Sequence, residues 1–195
     1  PHRDVAAQLR QVGRIAQGAG TQGGQKGLMD VMSSLGSQAQ EFDTRTPEKR
    51  NRLMAFIAKA GGNLPHDAAM KNAGAALSWF QGDALGLGRY LGHPLTDEKT
   101  GLMMDPAQIT EEVQRKIGRS GNRQRELRVF GKYVNLRAAP IFVQKSFGAD
   151  VSKLAVNPEQ EEYKESVGKW SNKLLNAPVE ISGKWDDRDA QLGKP

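Results

Sequence analysis

Apolar residues recur at helical spacing along most of the chain, and glycine, proline and capping residues punctuate them. Val5, Leu9, Val12 and Ile15 predict a first helix over 4–17, with Asp4 as its cap. The glycine-dense run 18–27 predicts a stop and a flexible loop. Leu28, Val31, Met32, Leu35, Ala39 and Phe42 form the stripe of a second helix over 28–42. Thr46-Pro47 is an N-cap followed by a proline at the first helical position, where its missing N–H costs nothing. The helix it opens carries Leu53, Phe56 and Ile57, and Gly61-Gly62 ends it. Met70, Ala73, Gly74, Leu77 and Phe80 then share one face of a helix that runs on toward Leu91, its small residues suited to close helix contact at the centre of the core.

Residues 93–104 lose all periodicity and read as a loop. Asp105-Pro106 repeats the cap-plus-proline signal, and Ile109, Val113 and Ile117 step by four residues to Gly118. Asn122 opens a further helix with Leu127, Phe130 and Val134 inward. Ile141-Phe142-Val143 is a short apolar run of strand type, a short helix is expected near 150–155, and Glu159 to Asn176 has a helical period with acids early and lysines late. The pattern as a whole predicts an all-α, irregular multi-helix bundle of about six to eight helices. It divides into an N-terminal helix with its glycine loop (1–27), a helical domain (28–177) and a weakly structured tail (178–195).

Charge changes this picture. The chain carries a formal +6, yet between Arg115 and Lys145 nine cations face the single acid Glu126, so the basic character is local. A concentrated positive field attracts a polyanion: nucleic acid, an acidic protein surface or a membrane face. The predicted hairpin over 109–137 has the order of a helix-turn-helix unit, whose second helix enters the major groove. Its turn departs from that pattern, since Gly118 is followed by Arg119-Ser120-Gly121 rather than by an apolar locking residue. Asn122, Gln124, Arg125 and Arg128 are the candidate base-reaching residues, and Arg115, Lys116, Arg119, Arg123, Lys132 and Arg137 the phosphate-binding ones. Tyr133 is placed to stack on unpaired bases, while Phe130 falls at core spacing.

Other chemistry finds little support. Gly18-Ala19-Gly20-Thr21-Gln22-Gly23 has the letters of a dinucleotide fingerprint but is led in by a helix pattern, where that motif needs a strand. His2, His66 and His93 share no zinc spacing, and Glu111-Glu112 are neighbours that diverge by about 100° on a helix. With zero cysteines there are no disulfides, thiolate nucleophiles or sulfur-ligated metals, which fits a cytoplasmic setting. No apolar run approaches the roughly 18 residues of a membrane span. The opening run PHRDVAAQLRQVGR, residues 1–14, lacks the apolar stretch of a secretory leader. No cofactor, metal or catalytic residue is expected. The sequence favours a non-enzymatic nucleic-acid (polyanion) binding protein. The alternative is an assembly subunit, of a virion or secretion-type complex, whose basic hairpin docks an acidic partner.

Overall fold

A computed structural model describes residues 2–134 and 146–156, all of which belong to one unit, Pro1–Val156. Its helices are α1 (His2–Ala19), α2 (Gly24–Ser34), α3 (Gly36–Ala39), α4 (Pro47–Gly61), α5 (His66–Gly82), α6 (Ala84–Leu91), α7 (Pro106–Arg119), α8 (Arg123–Phe130) and α9 (Phe147–Ala155). The fold is all-α. Among the described residues there is no strand, and no helix is long and apolar enough to cross a membrane. The strand-type run 141–143, the helix expected over 159–176 and the tail 178–195 lie outside the described residues.

The centre is α4, which packs against α1, α5, α7 and α9. Its start follows the expected cap: the Thr46 hydroxyl accepts the Lys49 N–H at 3.3 Å, with Pro47 in the first turn. Leu53, Phe56 and Ile57 are then turned wholly inward. Phe56 meets Phe80 of α5 and Phe147 of α9 edge to face, at 5.5 and 5.7 Å between ring centroids, the arrangement that brings a ring edge onto a π face. Small residues let α5 approach, as expected: a Cβ at Gly61 would stand 3.1 Å from that of Ala69, and one at Gly74 would stand 3.1 Å from Leu35.

Three boundaries differ from the sequence pattern. The glycine run 18–27 is no flexible linker, because α1 continues to Ala19 and α2 begins at Gly24. Gly20, Gly23 and Gly24 take positive φ and close a tight corner, while at Gly27 any side chain would strike the Gln22 carbonyl. The helix expected over 28–42 breaks at Leu35, and Phe42 instead leaves in extended form to bridge Met103. The α5 segment likewise breaks at Asp83 before α6. Those two breaks raise the helix number among the described residues above the expected six to eight. The loop 93–104 is an ordered hairpin-like turn, with Met104 N–H donating to the Leu95 carbonyl and Asp97 N–H to Leu102, which buries Met103.

A buried polar chain fixes α7 on this frame. Asp105, only 2% exposed, accepts the Gln108 N–H at 2.9 Å and lies 3.4 Å from the Arg52 guanidinium of α4. Arg52 reaches on to Glu111 at 3.3 Å, and the Ser152 hydroxyl of α9 donates to the other Glu111 oxygen. Burial pushes the Asp105 carboxyl up, and Arg52 offsets this only in part. One arginine thus joins α4 to α7, and Glu111 passes the link to α9.

Candidate site on the α7–α8 hairpin

The hairpin begins with the Asp105-Pro106 cap anticipated from the sequence. Ile109, Val113 and Ile117 are buried at four-residue steps, so Arg115, Lys116 and Arg119 fall on the outer side of α7. Gly121, at φ +68°, makes the turn. Asn122 caps α8, its side-chain oxygen accepting the Arg125 N–H at 3.0 Å. Phe130 is fully buried, as its spacing predicted, and Gln124, Arg125 and Arg128 are exposed on the far side, with Lys132 just beyond the helix. α8 is shorter than the pattern suggested: it ends at Phe130, and Val134 is buried from the following turn.

The structure sorts the candidates. Arg115, Arg119, Gln124, Arg125, Arg128 and Lys132 are exposed and make no ion pair or side-chain hydrogen bond among the described residues. Arg123 is half-buried. Asn122 has its side-chain oxygen committed to the cap. Lys116 is exposed but already engaged: its ammonium donates to the Tyr90 carbonyl at the end of α6 and sits 4.5 Å from the centroid of the Tyr90 ring, a cation–π contact. Arg137 lies outside the described residues.

Tyr90, not singled out from the sequence, organises the base of the site. Its hydroxyl donates to Glu126 Oε1 at 2.8 Å, so the one acid of the basic stretch is held by a neutral phenol rather than by a neighbouring arginine. Burial, reinforced by Glu126, raises the Tyr90 phenol above its ordinary value, so the proton stays in place. The Tyr90 ring packs on Phe130 at 4.9 Å and on Tyr133 at 5.9 Å. Gly86 of α6 touches the Tyr133 carbonyl so closely that a side chain there would overlap it.

A second group lies on the other side of α7. The two carboxylates of Glu111-Glu112 do diverge, Glu111 to Arg52 and Glu112 to His93. His93 is more than a loop residue, because its ring nitrogens face the Pro94 carbonyl at 3.1 Å and Glu112 at 2.8 Å. Two acceptors suit an imidazolium, and the Pro94 carbonyl and Glu112 together outweigh partial burial to raise the His93 pKa. Beside it is a cleft of about 390 Å³, lined among others by Asp43, Asp97 and Asp105. Each of these acids is already satisfied: Asp43 by Arg45 and Lys49, Asp97 by the Lys99 and Thr100 N–H groups, and Asp105 by its cap and Arg52. Arg45 above all holds the Asp43 carboxyl far below the usual carboxylate range. Among the described residues no three side chains are grouped to hold a metal ion.

No family model, curated protein or solved structure matches this chain.

Proposed function

We propose that this chain is a non-enzymatic nucleic-acid-binding protein and that its ligand lies against the α7–α8 hairpin. One observation carries the reading. Arg115, Arg119, Arg125, Arg128 and Lys132 are exposed without an ion-pair partner among the described residues, while the single acid between them is drawn inward to Tyr90. Clustered cations repel one another, so a cluster left uncompensated costs stability that a bound polyanion returns. Arginine predominates in it, and its planar fork grips a phosphate through two donors. The mechanism is phosphate neutralisation, with Lys116 and Asn122 building the surface rather than reaching the ligand.

Binding through five such cations releases counterions, giving a slope of log K against log salt of about −3.5 to −4.5. The test is fluorescence anisotropy with labelled oligonucleotides across a salt series, on the wild type and on R125Q/R128Q/K132Q. Loss of three contacts should flatten the slope by about 2 to 3. An unchanged slope would place the ligand elsewhere on the protein. Absence of binding at low salt would instead turn the hairpin into a docking surface for an acidic protein partner, as in an assembly subunit.

A further inference from the structure

The hairpin's aromatic residues say which form of nucleic acid it takes. Eight aromatic rings lie among the described residues, and seven of them are no more than 6% exposed. The exception is Tyr133, at 44%. Among the described residues this one aromatic ring stays open, directly after the exposed cations, with Arg128, Lys132 and Tyr133 falling in six consecutive residues.

Nor is Tyr133 a loose ring on a mobile tip. Its N–H donates to the Phe130 carbonyl at 2.9 Å, its own carbonyl is pressed against Gly86, and the next residue, Val134, is buried. Its ring leans on Tyr90 at a tilt of 55°, and Tyr90 is in turn covered by the Lys116 ammonium. The backbone is therefore fixed before any ligand arrives, which lowers the ordering cost of binding.

The same hairpin is poorly built to read a duplex. Groove docking uses the N-terminal residues of the second helix. Here that end is partly committed: the Asn122 oxygen caps the helix and Arg123 is half-buried, which leaves Gln124 and Arg125 as the exposed residues of its first turn. α8 has eight residues, about 12 Å of helix. By contrast, a fixed exposed ring bordered by cations is the arrangement that binds unpaired bases, since every base has a π face to stack and a phosphate to neutralise.

We infer that the ligand of the α7–α8 hairpin is single-stranded nucleic acid, with a base stacked on Tyr133 and the flanking phosphates on Arg128, Lys132 and Arg125. This rests on the proposed nucleic-acid reading and adds the strand form and the stacking residue. The experiment compares a labelled oligothymidine, a duplex of equal length and inorganic polyphosphate, which has the charge but no bases. Proteins are the wild type, Tyr133→Leu, which keeps apolar bulk without a π face, and Tyr133→Phe, with circular dichroism to confirm folding. Stacking predicts tighter binding of the single strand than of the duplex. It also predicts a loss of about 5- to 150-fold for the single strand in Tyr133→Leu, recovered in Tyr133→Phe, and no change for polyphosphate. Equal loss on polyphosphate, no loss on the single strand, or preference for the duplex would each overturn the inference while leaving the hairpin a nucleic-acid site. Failure of both oligonucleotides to bind would overturn the function itself.

Discussion

Gly86→Ala sets two effects of opposite sign against each other. Gly86 sits inside α6, where alanine should stabilise by about 0.8–1 kcal/mol through helix propensity alone. The packing opposes it: the added Cβ would overlap the Tyr133 carbonyl oxygen and stand 3.0 Å from its carbon. That obstacle is backbone, which cannot rotate away, and it is held by the Phe130 carbonyl below and by buried Val134 beyond. Forcing a methyl into such a contact costs typically 1–3 kcal/mol, here toward the upper end. The net expectation is a destabilisation of about 1–2 kcal/mol, opposite to the propensity effect. Gly82 is the control, because it is also helical and nothing lies within 4 Å of a Cβ built there. Gly82→Ala should hold or raise stability. Urea unfolding followed by circular dichroism measures both, with unchanged slopes required so that midpoints report stability. Gly86→Ala as stable as the wild type would mean that α6 and the turn after α8 are not in contact, and the fixed placement of Tyr133 would fall with it.

Two further predictions concern the other side of α7. Asp105→Ala removes a cap and leaves Arg52 without its buried partner, so a loss of about 2–3 kcal/mol is expected in urea unfolding. Asp105→Asn, which keeps the oxygen that accepts the Gln108 N–H, should lose less; equal losses would show that the cap contributes little. His93 has a raised pKa in the fold, so its contribution is fully present below about pH 6.5 and is lost as pH rises through the raised value. The Tm difference between wild type and His93→Gln should be largest near pH 5.5 and shrink by about pH 9, and a difference independent of pH would refute the His93–Glu112 pairing.

The helices were legible where local chemistry decides them. Thr46-Pro47 and Asp105-Pro106 mark their starts because an N-cap and a first-turn proline act within four residues. The inward faces of α4, α5 and α7 followed from period alone. Glycine misled, since its effect depends on what comes near it. In the corner after α1 it supplies positive φ, whereas at Gly18 and Gly27 it makes room for Leu154 and for the Gln22 carbonyl. A sequence cannot separate those uses. The basic stretch was visible as charge, and Phe130 as core. What stayed hidden was every partner distant in the chain: Tyr90 lies 36 positions from Glu126, and His93 lies 19 from Glu112. No local spacing announces such pairs. The same holds for Lys116, whose ammonium is taken up by Tyr90, 26 positions away.

The placement of Phe56 bears on how the chain is made. One of its ring neighbours, Phe80, follows soon after it, but the other, Phe147, belongs to α9, about 90 residues further on. At translation rates of roughly 5–20 residues per second, Phe56 waits on the order of 5–20 s for that cover. During that interval a nascent chain presents the unfinished side of α4 to whatever is nearby. The last short helix of the unit is therefore the closing step of its biosynthesis, and a ribosome that stalls before residue 147 leaves the centre of the fold open.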